Sequence, residues 1–193
     1  MKWMVPIVLA ALLAGGCTPK KRYERRLNHE LARGISYDSL FMGLSFGMTD
    51  IEFFDACWKL NKDSLVKQAI DNMSVEYETK DELKYPATMN FYPVFAEGKI
   101  VEMPVRFIYH GWSPWNKEQS ASNLALDVKN WYEDIYGKGF ITIVHPFKGE
   151  AYTKIDGNRR ITIYIEGDQY VWAIFTDMLA QAEKDSQESA NQN

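Results

Sequence analysis

Met89-Asn90-Phe91-Tyr92-Pro93-Val94-Phe95-Ala96-Glu97-Gly98-Lys99-Ile100-Val101-Glu102-Met103-Pro104-Val105-Arg106-Phe107-Ile108-Tyr109 is the stretch whose reading decides the fold. Two apolar runs, Met89 to Phe95 and Lys99 to Tyr109, flank Ala96-Glu97-Gly98, which predicts a hairpin. In the second run Val101, Met103, Val105, Phe107 and Tyr109 recur at period two, so one face of that strand is apolar. Pro93 and Pro104 lack a backbone donor, which predicts an edge position or a bulge.

Working outward, the same pattern recurs downstream. Phe140 to Val144, Ala151 to Ile155, Arg159 to Ile165 and Gln169 to Thr176 read as strands. Asp156-Gly157 and Gly167-Asp168 are tight-turn dipeptides, so the last three strands form a meander. Upstream, Ser64 to Ile70 and Ser74 to Thr79 flank an Asp71-Asn72 turn. Each strand set is preceded by a helix. Thr49 and Glu52 have capping-box spacing, and the helix runs on to about Lys62. Phe53, Phe54, Cys57, Trp58 and Asn61, at i, i+1, i+4, i+5 and i+8, read as its one core-facing stripe. Leu124, Val128, Trp131, Tyr132 and Ile135 mark a second helix, from about Ser120 or Ser122 to Tyr136, stopped by Gly137.

Sequential hairpins give antiparallel sheet, so the class is α+β, with two packed helices on the sheet. The order allows a duplicated helix-then-strands unit, with halves 47–110 and 118–177 of one domain at 35–180. Residues 181–193 are polar and predict a disordered tail.

The N-terminus predicts location. Lys2 precedes an apolar run, Met4 to Ala14, that is too short to span a bilayer at ~20 residues. Leu13-Ala14-Gly15-Gly16-Cys17 resembles the lipobox of bacterial lipoproteins, with Ala14 where leucine is commoner. The resemblance implies a signal peptide at 1–16, lipidation of Cys17 and attachment to membrane lipid. Residues 17–34 read as a charged tether, helical from Tyr23 to Arg33. Five basic residues against one acid in Thr18–Arg26 either touch anionic headgroups or are simply solvated. In lipoproteins of the Bacteroidetes type of envelope, surface export goes with acidic residues just after the cysteine, so for this basic segment the resemblance implies the periplasmic face of the outer membrane.

The formal net charge of −4 argues against a nucleic-acid binder. The two cysteines are Cys17 and Cys57, and with Cys17 committed to lipid no disulfide framework is available. Cys57, among Phe and Trp, reads as a small buried hydrophobe.

Gly47-Met48-Thr49 with Glu97-Gly98-Lys99-Ile100 resembles outer-membrane assembly lipoproteins of the BamE (SmpA/OmlA) type. It also resembles the tandem architecture of β-lactamase inhibitor proteins. Cys57-Trp58-Lys59-Leu60-Asn61, Trp112-Ser113-Pro114-Trp115-Asn116 and Asp156-Gly157-Asn158-Arg159-Arg160 together resemble uncharacterised Bacteroidetes lipoproteins. These resemblances imply compartment and fold and bring no catalytic residues.

No reaction is legible. Gly43-Leu44-Ser45-Phe46-Gly47 fits a G-x-S-x-G elbow, and Asp127 or Asp134 and His145 follow in hydrolase order. A serine hydrolase nevertheless needs a strand before the serine and a helix directly after it, in a parallel sheet. His29, His110 and His145 lack metal-ligand spacing, so neither metal nor cofactor is expected. Arg160 beside the Asp156-Gly157 turn either pairs with an acid across the sheet or meets an anionic partner. Tyr109, Trp112 and Trp115 border a Gly/Pro loop; large apolar groups there either fold back on the core or await a partner. The partner is then a protein surface or a sugar stacked on the rings. The expected function is therefore a non-enzymatic, lipid-anchored envelope protein acting through protein contacts, with a glycan-binding lipoprotein as the alternative.

Overall fold

A computed structural model describes residues 18–70, 73–145 and 148–183. The expected signal peptide at 1–16, Cys17, the expected turn at Asp71-Asn72 and the part of the expected tail from 184 on lie outside the described residues.

Among the described residues, nine strands form one antiparallel, open sheet: β1 (Lys67–Gln68), β2 (Val75–Glu78), β3 (Ala87–Phe91), β4 (Val94–Ala96), β5 (Lys99–Tyr109), β6 (Ile141–His145), β7 (Gly149–Asp156), β8 (Arg159–Glu166) and β9 (Tyr170–Asp177). The order is β1-β2-β3-β5-β9-β8-β7-β6, with β4 also on β5. The helices before and between the strands, among the described residues, are α1 (Pro19–Ala32), α2 (Asp50–Lys62) and α3 (Ala121–Tyr136). A short 3-10 turn spans Lys117–Gln119. The order is mirror-like. α2 leads into a meander ending at β5, α3 leads into a meander ending at β9, and β5 pairs with β9 at the centre.

Glu97 and Gly98 both adopt positive φ in the β4–β5 turn, a conformation that glycine takes freely and few other residues do. Pro93 and Pro104 share one interruption. Phe91 faces Val105 and Val94 faces Glu102, so the two prolines fall in the unpaired stretch between those contacts. A register shift follows between Val94 and Phe95. The missing donors are thus gathered in one place, which lets β5 remain a central strand.

One sheet face carries the core. Met103, Val105, Phe107 and Tyr109 of β5 lie beside Phe175, Ala173 and Val171 of β9 and Ile161 and Ile163 of β8, all buried. α3 packs there through Leu124, Val128 and Tyr132, with Tyr132 5.3 Å from the Phe175 ring. Ser120 caps α3 and Gly137 ends it. Leu40, Leu44 and Phe46 of the segment before α2 also enter this core.

α2 has the predicted capping box at Thr49 and Glu52. Its orientation corrects the sequence reading. Phe53 is fully buried, but Phe54 and Trp58 are 52% and 64% exposed. The helix carries two apolar stripes one residue apart. Phe53, Ala56, Cys57 and Leu60 turn inward, whereas Ile51, Phe54 and Trp58, at i, i+3 and i+7, turn out. Periodicity alone merges stripes separated by ~100° of rotation. Cys57 is half-buried and burial pushes its thiol up to about 11, so it stays protonated at neutral pH.

The helix expected from Tyr23 to Arg33 is present but begins earlier, at Pro19, and it packs on the sheet rather than standing apart as a tether. Thr18 caps α1, which lies on the opposite sheet face against β6 and β7. Glu30 holds it there. Its carboxylate accepts from the Gly157 amide at 3.3 Å and the Arg33 guanidinium at 2.6 Å, with Arg26 at 3.5 Å. Burial pushes this carboxyl up, but the Gly157 amide and Arg33 pull it further down, to below the ordinary carboxylate range. Residues 178–183 continue as helix past β9, so the first part of the segment expected to be disordered is ordered.

The two faces of α2 should separate in denaturant melts. Phe53→Ala is expected to cost ~3–5 kcal/mol as a buried aromatic truncation, and Trp58→Ala less than ~1 kcal/mol as a surface change. Equal losses would contradict this orientation.

Candidate functional site

The alternation of β8 places Arg159, Ile161 and Ile163 on the core face and Arg160, Thr162 and Tyr164 on the other. Cross-strand neighbours share a face. Ile174 and Thr176 of β9 and Glu102 of β5 therefore join Arg160 and Thr162. The C-terminal half of α1 is drawn onto β6 and β7 by Glu30. Its first turns stand over the sheet and leave a groove of about 800 Å³ between helix and strands. Pro19, Tyr23, Ile143, Val144, Tyr164 and Ile174 supply its apolar lining. Thr18 lies at its margin.

Arg160 spans the groove. It donates to the Tyr23 hydroxyl at 3.1 Å and to Thr176 Oγ1 at 3.4 Å. Thr176 Oγ1 in turn donates to Glu102 at 3.2 Å, so an acid lies one hydroxyl away from the cation. The Arg160 Nε is buried with no hydrogen-bond partner among the described residues. Lys148 lies 4.9 Å over the Tyr164 ring. Burial raises the Tyr164 hydroxyl above its usual pKa, and Lys148 partly offsets this. Lys20 and Glu24 pair weakly at the rim, at 3.9 Å. An apolar trough edged by cations suits a hydrocarbon chain better than a polar metabolite.

The aromatic loop does not form one platform. Tyr109 takes the fold-back alternative and is core, not binding surface: it is buried, its ring packs edge-on to Tyr85, and its hydroxyl donates to Asp127. Burial first, and then Asp127, holds that hydroxyl well above the ordinary tyrosine range. Trp112 folds back. Its indole Nε1 donates to the Asp168 carbonyl at 2.9 Å and its ring packs against the core. Trp115 alone projects, 82% exposed. Two rings so differently placed cannot stack on one sugar as a pair.

The residues of the hydrolase pattern are not assembled. Ser45 bridges Ser39, Asp127 is occupied by Tyr109 and the Lys84 amide, and His145 lines the groove on the far face of the sheet. Among the described residues no cluster of three or more metal-ligating side chains occurs.

A second apolar surface was missed by the sequence reading. Ile51, Phe54 and Trp58 stand on the outer face of α2. Beside them a shallow trough of about 420 Å³ is lined by Phe54, Cys57, Trp58, Val66, Met73 and Tyr92. The available signal was Ile51, which extends an outward i, i+3, i+7 stripe.

Thermal melts should divide the tryptophans. Trp112→Ala is expected to lower the midpoint through lost packing and a lost hydrogen bond, by ~2–4 kcal/mol. Trp115→Ala should stay within ~0.5 kcal/mol of wild type. A large loss at Trp115 would contradict its placement.

Comparison with known proteins gives no match: no family model, no curated protein and no solved structure is similar to this chain.

Proposed function

We propose that this chain is a lipid-anchored protein of the bacterial cell envelope, held at the periplasmic face of the outer membrane through Cys17. It acts without catalysis, by contact with another envelope protein. The observation that carries the contact reading is the outward stripe of α2. Ile51, Phe54 and Trp58 are 70%, 52% and 64% exposed and adjoin a trough with further apolar lining. Contiguous apolar surface of this kind marks interaction sites on soluble domains. Trp and Tyr anchors beside a pocket are the usual energetic centre of such contacts. Lys62 lies 5.5 Å over the Trp58 ring, an exposed cation–π pair whose strength rises when a partner removes water.

The anchor and the contact are tested separately in cells. Cys17→Ser should remove the acyl mass from the N-terminal cysteine and release the chain from the membrane fraction. Phe54→Ala with Trp58→Ala should keep acylation, membrane fractionation and the melting midpoint, and lose the chemically crosslinked adducts that wild type forms. Adducts unchanged in the double variant would overturn the contact reading. A mature chain that begins elsewhere without acyl mass would overturn the anchor.

A further inference from the structure

We infer that the groove beneath the first turns of α1 is a binding site for one acyl chain of this protein's own lipidated Cys17. The inference rests on the lipid-anchor reading and adds a destination for part of the lipid.

Three observations converge on that occupant. The first is adjacency. Thr18 caps α1 and stands at the margin of the groove, and Cys17 is its covalent neighbour. A chain attached to Cys17 reaches the groove without crossing the domain. The second is the lining. Tyr23, Ile143, Tyr164 and Ile174 bound a trough of about 800 Å³, within the ~300–1,000 Å³ typical of small-ligand sites. Apolar atoms make up most of its accessible lining, which suits a hydrocarbon. Arg160, Thr176 and Glu102 are already tied to one another and to Tyr23. The third is the rim. Lys20 and Lys148 flank the groove, with Glu24 opposite Lys20. Long cationic side chains can lay their methylenes along a hydrocarbon and keep the charge in water.

The consequence is for membrane residence. A single buried chain binds a bilayer only marginally and reversibly, whereas two or more hold stably. A chain withdrawn into the groove subtracts from the anchor. With two chains on the cysteine, the domain would then be held by one and become releasable.

The test uses the full, processed protein from cells fed a diazirine-bearing palmitate analogue. The purified protein is irradiated in detergent and the crosslinks are mapped by peptide mass spectrometry. The expected result is an intramolecular crosslink from the cysteine-borne acyl group to peptides containing Ile143, Tyr164 or Ile174. Thr162→Trp, which fills the floor, should reduce it severalfold while the acyl mass on Cys17 is retained. If the acyl mass is present and the wild-type crosslinks avoid these peptides, the groove inference fails and the anchor stands. If no acyl mass is found on Cys17, both fail. If the same peptides are labelled as strongly in Cys17→Ser, the occupant is a membrane lipid and the inference is overturned.

Discussion

Glu30 is the residue on which the arrangement of the second sheet face depends. Its buried carboxylate bridges the last turn of α1, through Arg33 and Arg26, to the backbone amide of Gly157 in the β7–β8 turn. The turn is shaped for this contact. Gly157 has a positive φ, and a Cβ there would lie 2.0 Å from the Ile35 carbonyl oxygen. A glycine is therefore required at the place where the chain leaving α1 crosses the hairpin. Because the folded pKa of Glu30 is depressed, its contribution is complete above the ordinary carboxylate range, near ~4.3. It is lost as pH falls through the folded value. Acid should loosen α1 before it disturbs the core on the opposite face.

That separation follows from the sheet. β5 and β9 join the two meanders, and their buried residues belong to a single core under α2 and α3. The other face is only partly covered. Ala151, Thr153 and Ile155 are buried beneath the α1 region, whereas Arg160, Thr162, Tyr164 and Ile174 are left half-covered. A helix that reaches across only part of a sheet face leaves a groove by construction. The cations stacked on aromatic rings further along that face, such as Arg106 over Tyr170 at 5.0 Å, shield more of it.

Much of the fold was legible in local chemistry. The Thr49–Glu52 capping box, Gly137 after α3, the Glu97-Gly98 turn and the period-two runs of β5 and β8 each specify structure within a few residues. What local chemistry left open or misplaced shares a different cause. Trp58, Tyr109 and the 17–34 segment depend on which of two apolar faces finds a partner across the fold. That is decided by residues far away: Phe95 and Tyr92 around Phe53, Asp127 beneath Tyr109, and Gly157 at Glu30. Arg160 was recognisable as a cation beside a turn. Its meeting with Tyr23, 137 residues earlier, was not. The groove has no motif because its walls come from α1, β5, β6, β8 and β9.

α1 belongs to the folded domain, so a lipid on Cys17, as proposed, would hold the domain directly on the membrane with no spacer. Lys20, Lys21, Arg22 and Arg25 on the exposed side of α1 would then meet anionic headgroups. Neutron reflectometry of the acylated protein on a supported bilayer containing anionic lipid measures this most directly. The account predicts protein density continuous with the headgroup layer. A layer of water separating the domain from the headgroups would contradict it.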